Sequence, residues 1–336
     1  MLRLHARLKR TLLAVLTVLA VAMLAAPVQA EEAVLRALTA LPAHHDLTKS
    51  FLALYVDRVN EVGKGIVKID VIGGPEVTPA RKAAPALQRG VFDMLHSPAA
   101  YYGGITPQSP GLMATNLTPA DIRANGGFDI IQGVWKKKLN AKIVAWGESG
   151  AQFHLYTVKK PPLKNGKLDL TGFKMRSTGA YRPLLEALGA SPVQMPVGDV
   201  YTALQRGVVD GFGWPTVGLK ALGLAKVVKY RIDPPFYHLA NLVLVNENKW
   251  NSLPKAAQDV LLKVGAEYEL SSSKRMQAGA ADDEAAIKAE GVQIFKLEGA
   301  AADAYLKAAY GAAWARIGKR LSADELKVLR AHLLKE

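Results

Sequence analysis

From Val34 to Leu41 the chain is dominated by aliphatic and β-branched residues, and Pro42 with the His44-His45-Asp46 turn stops the run, so a first strand is predicted there. Apolar residues then recur at helical spacing (Leu47, Phe51, Leu54, Tyr55, Val59, Val62) until Gly63 and Gly65, the pattern of an amphipathic helix that ends at glycine. Ile66 to Ile72 alternates as a strand does, Gly73-Gly74-Pro75 turns the chain, Ala80 to Arg89 reads as helix and Val91 to Leu95 as strand. An order β-α-β-α-β calls for crossover connections, which build mainly parallel sheets covered by helices.

One stretch of this grammar returns almost unchanged. Ala86-Leu87-Gln88-Arg89-Gly90-Val91-Phe92-Asp93-Met94 is matched at seven of nine positions by Ala203-Leu204-Gln205-Arg206-Gly207-Val208-Val209-Asp210-Gly211. Each block is expected to be the last turn of a helix, a glycine just past its end, and a short buried strand ending in Asp. The second copy is also preceded by a strand pattern, Pro192 to Val197, and a helix from about Asp199 to Arg206. Two similarly wound α/β lobes are expected from this. Beyond Asp233-Pro234-Pro235 come an apolar strand, Leu239 to Val245, the segment Asn246 to Leu253, and a long helical pattern from Pro254 to about Glu290. Gly265 and Gly279 argue against its continuity, each costing about 1 kcal/mol relative to Ala. A last strand is expected over Val292 to Leu297 and helix from Ala301 to Glu336.

The N-terminus changes the picture of the charge. Arg3, Arg7, Lys9 and Arg10 precede an uncharged run from Thr11 to Ala26, Pro27 breaks it, and Val28-Gln29-Ala30 ends in a small residue. That is the pattern of a secretory signal peptide cleaved after Ala30, and the run is shorter than the roughly 18 residues that a membrane-spanning helix needs. Removing its four cations takes the net charge from +14 to +10. The remaining Lys and Arg are scattered, as at Lys136 to Lys138 and Lys159-Lys160, with no basic patch interleaved with aromatics, so no nucleic-acid partner is expected. With 336 residues, half of them apolar, there is material for two lobes; with no Cys there is no disulfide framework, thiol nucleophile, Cys-ligated metal or lipidated N-terminal Cys. An exported, freely diffusing protein is expected.

Enzyme motifs largely fail. Gly147-Glu148-Ser149-Gly150-Ala151 approximates a nucleophile elbow but carries Ala151 where the final glycine belongs. Adjacent His44 and His45 would point to opposite faces of a strand, and no further ligand stands at metal spacing. Neither a dinucleotide fingerprint nor a P-loop is present. No catalytic residue, cofactor or metal is therefore assigned, although a secreted α/β hydrolase or lyase remains a competing class.

The most informative stretch runs from Leu170-Thr171-Gly172-Phe173-Lys174-Met175-Arg176 through Leu188-Gly189-Ala190-Ser191-Pro192-Val193-Gln194-Met195-Pro196 to Asp199–Gly211. It resembles the solute-binding proteins of tripartite ATP-independent periplasmic (TRAP) transporters, the dicarboxylate-binding-protein (DctP) family, and Asn246 to Pro254 with its N-x-x-x-W-x-x-L-P pattern resembles the family's next segment. The resemblance extends over about Val34 to Leu297. It implies a two-lobed periplasmic-binding-protein fold, type II-like, with ligand in the cleft and hinge strands between lobes. It also implies that Arg176 is the carboxylate-binding residue, a role to which a planar fork of donors is suited.

Two departures point to a branch of the family. Where many sialic-acid and dicarboxylate members carry a second Arg and an Asn, this chain has Gln152 and Trp214, which resembles the branch that binds 2-oxo acids. That branch has a cation-binding Glu just before the Trp, whereas Gly213 stands here. The space released by Gly213, and Tyr101, Tyr102, Phe153, Phe212 and Phe236 near predicted strand ends, suggest room for a bulkier apolar or aromatic acid. The expectation is thus a periplasmic binding protein, not an enzyme, that captures an organic monocarboxylate, a 2-oxo or 2-hydroxy acid, and delivers it to TRAP permease subunits. A dicarboxylate binder using His44, His45 or His154 for the second acid group is the alternative, and a sensor's receptor is an alternative partner. Ligand-binding candidates are Arg176, Gln152, Trp214, Tyr101, Tyr102, His45, Phe153 and Phe236. Residues 1–30 are assigned to the signal peptide, 31–150 plus 239–297 to one lobe, 151–238 to the other and 298–336 to a helical segment packing on both; a monomer is expected.

Overall fold

Alternation along β1 (Ala33–Thr39) buries Leu35 and Ala37 completely and leaves Val34 and Arg36 exposed. The structure is a computed structural model that describes residues 31–179 and 181–335; the expected signal peptide lies outside them. The first helix arrives as α1 (Asp46–Phe51) and α2 (Asp57–Val62), joined through a π-helical turn at Leu52–Val56, and Phe51, Tyr55 and Val59 form its buried stripe. Strand β2 (Val67–Gly73), helix α3 (Ala80–Gln88) and strand β3 (Met94–Pro98) complete the first crossover unit, with β1 parallel to both β2 and β3. Helices α4 (Ser109–Met113), α5 (Pro119–Ala124) and α6 (Gly127–Leu139) lead to β4 (Ala141–Gly147).

The chain then enters a second sheet through β5 (Gln152–Thr157). After a small hairpin, β6 (Leu163–Lys164) and β7 (Lys167–Leu168), come β8 (Lys174–Ser177), α7 (Arg182–Ala187), β9 (Ser191–Gln194), α8 (Val200–Gln205), β10 (Gly211–Pro215) and β11 (Tyr230–His238). Strand β12 (Asn241–Asn246) returns to the first sheet and is followed by α9 (Glu247–Ser252) and α10 (Lys255–Ala289). The end comprises β13 (Gln293–Lys296), α11 (Gly299–Gly318) and α12 (Ala323–Leu333). The sheet orders are β2-β1-β3-β12-β4 and β13-β11-β5-β10-β8-β9. Each contains three parallel strands (β2-β1-β3 and β9-β8-β10) flanked by an antiparallel strand that comes from the other half of the chain, β12 in one and β5 in the other. The expected α/β two-lobed plan is present.

The repeated blocks occupy equivalent places in the two sheets. Gly90 and Gly207 both sit at positive φ, 74° and 66°, after α3 and α8. The Asp of each block then does the same job: Asp93 accepts from the Arg36 N–H at 2.8 Å and Asp210 from the Lys174 N–H at 2.9 Å, tying each turn to the parallel neighbour strand. The blocks differ from expectation in one respect. Val91 and Val208 are about half exposed, and the strands begin after the Asp, at Met94 and Gly211, because residues 91–93 and 208–210 form the turn that the Asp side chain holds.

Helix α10 runs unbroken through Gly265 and Gly279. Gly265 is there for proximity: a Cβ on it would stand 2.2 Å from the Val144 carbonyl oxygen of β4. Packing thus outweighs the intrinsic helix penalty. The sequence-based boundary at 297 also shifts, since β13 pairs in parallel with β11 and so belongs to the second sheet, while α10 packs on β4 of the first.

Candidate functional site

At the end of β8, Arg176 is 3% exposed, and its contacts are all with neutral groups. Its Nε and Nη2 donate to the Met195 carbonyl at 3.4 and 3.3 Å, its Nη1 donates to the Tyr181 hydroxyl at 3.0 Å, and its Cζ lies 5.6 Å from the centre of the Trp214 ring. Among the described residues no carboxylate pairs with it. A buried charge held only by dipoles and a ring face carries a large uncompensated desolvation cost, so the site is poised for an anion.

Tyr181, just before α7, fixes this guanidinium. Its hydroxyl accepts from Arg176 and donates to the Gly213 carbonyl at 2.9 Å, and its ring packs against Gly213 of β10. A Cβ on Gly213 would come within 2.6 Å of that ring. The space at Gly213 that the sequence offered to a bulky ligand is therefore already filled by Tyr181, and no carboxylate for a cation stands there.

These groups line a cavity of about 520 Å³, counting its open mouth, between residues of the two sheets. His45, Leu47, Pro98, Ala100, Tyr101 and Met113 face it from the side of the first sheet, and Phe153, Arg176, Thr178, Tyr181, Gly213 and Trp214 from the second. No Asp or Glu is in the lining. The mainly apolar wall with a few convergent polar groups is that of small-molecule sites.

His45 caps α1, its Nδ1 accepting from the Leu47 N–H at 3.2 Å. Burial lowers its pKa to about 4, so it is neutral near pH 7. With Nδ1 used as acceptor, the neutral ring carries its proton on Nε2 and acts there as a donor. Burial likewise pushes the Tyr101 phenol up against a smaller opposing pull from Arg176, which keeps the hydroxyl protonated. Both side chains thus carry a proton that can be donated.

Of the eight candidates read from the sequence, Arg176, Trp214, Tyr101, His45 and Phe153 come together around this space. The other three stand elsewhere. Tyr102 is in the core, edge-on to Trp135 at 6.2 Å; Phe236 is fully buried behind Phe153 and Tyr181; Gln152, at the start of β5, is outside the lining and offers its backbone carbonyl to the Thr216 N–H at 2.7 Å. Of the histidines considered for a second acid group, His44 is exposed, and His154 is bound to the Ile232 carbonyl and Asp233 carboxylate, each at 3.1 Å, so only His45 lines the cavity. Tyr181 was not found by sequence reasoning; the available signal was the pairing of a Tyr just after Arg176 with a Gly before the Trp. Among the described residues no three or more His, Asp or Glu cluster as a metal site would.

Fold and cavity together define a two-lobed solute-binding protein. Residues 39–319 match the profile of the bacterial extracellular solute-binding proteins, family 7 (DctP), and the chain belongs to that non-catalytic family. It is 30% identical over 235 residues to the monocarboxylate 2-oxoacid-binding periplasmic protein of Nostoc sp., covering 66% of this chain and 62% of that protein. It is 28% identical over 221 residues to the C4-dicarboxylate-binding periplasmic protein of Rhodobacter capsulatus, covering 64% and 66%. The matched stretch thus spans less than two thirds of the length of either relative. Among solved structures, a TRAP periplasmic solute-binding protein from Desulfovibrio salexigens with bound orotic acid superposes with a TM-score of 0.77 at 22% identity, over 90% of this chain and 97% of that one. One from Bordetella bronchiseptica, with calcium and picolinate, gives 0.76 at 24% identity, over 90% and 91%. The type II periplasmic-binding-protein fold is established by these likenesses.

Proposed function

We propose that the protein captures a small organic monocarboxylate, a 2-oxo or 2-hydroxy acid, in the cavity between its sheets and, in the periplasm, presents it to the membrane subunits of a TRAP permease. The observation that carries this reading is Arg176, a buried guanidinium without a carboxylate partner among the described residues, in a cavity whose lining contains no acidic residue. In this reading the ligand carboxylate takes the free donors of Arg176, the Nε2–H of His45 and the Tyr101 hydroxyl serve the carboxylate or the neighbouring oxo or hydroxy group, and Phe153, Trp214 and Met113 enclose the carbon skeleton. Closing the cleft removes water and strengthens each polar contact. Tyr181 aligns the guanidinium and limits the depth of the pocket, which favours a compact acid over a bulky aromatic one. The relative named for 2-oxoacids, and the resemblance to that branch carried by Trp214, which lies beside Arg176, support the substrate class.

The test is a thermal-shift screen in which each 2-oxo and 2-hydroxy acid is paired with its methyl ester. A ligand at 100 times its Kd stabilises the fold by about 2.7 kcal/mol, a readily measured shift. The acids are expected to raise Tm and the esters to leave it unchanged. Equal shifts by acid and ester would overturn the carboxylate reading.

A further inference from the structure

A second acid-free, cationic cavity lies on the other side of Tyr101. It is lined by Arg81, Tyr101, Gln194, Arg316 and Arg320 with the backbones of Gly103 and Gly104. The three guanidiniums reach it from different parts of the fold, Arg81 from α3, Arg316 from the last turn of α11 and Arg320 from just beyond it. Each is held in place by neutral oxygens. Arg316 Nη1 donates to the Gly179 carbonyl at 2.9 Å, and Arg320 grips the Gly103 and Gly104 carbonyls at 2.7 and 2.9 Å. Arg81 lies 5.5 Å from the centre of the Tyr101 ring and faces the Gln194 amide, whose oxygen accepts from the guanidinium when the amide is assigned with its oxygen towards Arg81. Among the described residues no carboxylate pairs with any of the three.

Three like charges gathered on one cavity repel one another, and a surface that merely needed solubility would intersperse acids among them. What stabilises such a cluster is an anion with several acceptor oxygens, for which guanidinium forks are the matching donors. Position points the same way. Gly179 and Gln194 lie at the ends of β8 and β9 in the second sheet, whereas Gly103, Gly104 and Arg81 follow or cover strands of the first. An anion here would contact groups from both sides of the cleft.

We infer that this cavity is a second, outer oxyanion-binding site that bridges the two halves of the cleft, with Tyr101 as the wall between it and the Arg176 cavity. Its occupant carries a phosphate or carboxylate group, either as a free anion or as the far acid group of one extended ligand. Binding of a free anion does not depend on the function proposed for Arg176, because Arg316 and Arg320 line this cavity and not the Arg176 cavity, although Arg81 and Gln194 also face a groove that Arg176 reaches.

Inorganic phosphate, titrated at constant ionic strength against chloride with Tm and calorimetric readouts, tests the free-anion source. The expected result is saturable binding that survives in Arg176→Gln and weakens at least tenfold in Arg316→Gln/Arg320→Gln. Should the double variant fold poorly, Arg81→Gln, on an exposed helical position, is expected to weaken binding as well. The second arm compares straight-chain diacids with monoacids of equal length; a gain in affinity for the diacid that disappears in the double variant places the ligand's own far carboxylate at the site. Absence of both effects, or phosphate binding that is lost in Arg176→Gln and intact in the arginine-pair variant, would overturn the inference.

Discussion

Gly213→Ala is a small change with a large expected effect, because the added methyl meets the Tyr181 ring at 2.6, 2.9 and 3.0 Å from three of its carbons. In an unstrained strand the substitution would stabilise the protein by about 0.4–1 kcal/mol through the unfolded chain. Here the ring has to move. Overpacking of a tight site costs about 1–3 kcal/mol, and displacing the Tyr181 hydroxyl from the Arg176 guanidinium, at 3.0 Å, forfeits a charge-assisted bond worth about 1.5–3 kcal/mol. The clash therefore wins, with a net loss of about 2–4 kcal/mol in urea unfolding. A double-mutant cycle isolates the cause: in a Tyr181→Ala background Gly213→Ala should be neutral or slightly stabilising, giving a coupling of about 2 kcal/mol or more. If the two substitutions added to within about 0.5 kcal/mol, the argument that Tyr181 occupies the Gly213 space and aligns Arg176 would be refuted.

His45, held to a pKa of about 4 when folded against 6.5 when unfolded, contributes stability that is full above about pH 6.5 and is lost as pH falls towards 4. The loss is on the order of 2–3 kcal/mol by about pH 4.5, so His45→Asn should show a correspondingly flatter stability profile between about pH 7 and 4.5 in urea unfolding. Gly265→Ala should destabilise by roughly 1–3 kcal/mol despite the better helix propensity of Ala, since its methyl would abut the Val144 carbonyl; a gain in urea midpoint would contradict the close approach of α10 and β4. Tyr102→Phe removes a buried hydroxyl that makes no well-formed hydrogen bond and should leave ligand affinity within about twofold and stability unchanged or raised, as calorimetry and thermal unfolding would show.

Much of this architecture was legible because its signals are local. The helix-Gly-turn-Asp block announces a crossover wherever it occurs, and its two copies do land at matching places in the two sheets, each Asp tied to a neighbouring strand. Arg176, Trp214, His45, Tyr101 and Phe153 share one cavity. What escaped depends on partners far away in the chain. Tyr181 becomes meaningful only against Gly213, 32 residues later. An aromatic near a strand end does not declare which face it takes, which is why Phe236 and Tyr102 proved to be core. The strand at Gln293–Lys296 carries no mark of the sheet it joins, and the glycines of α10 suggested a break where, at Gly265, tight packing on β4 leaves no room for a side chain.

In the function proposed, binding rests on neutralisation of Arg176 by a ligand carboxylate, and Arg176→Met tests this most directly, since Met retains the length and apolar contacts of the side chain while removing the charge. Titration calorimetry with the 2-oxo acid that gives the largest thermal shift should show at least about a hundredfold loss of affinity, about 2.7 kcal/mol, while the ligand-free variant is as stable as the parent or more so, because the uncompensated buried charge is gone. Affinity retained to within about threefold would contradict a carboxylate held by this guanidinium.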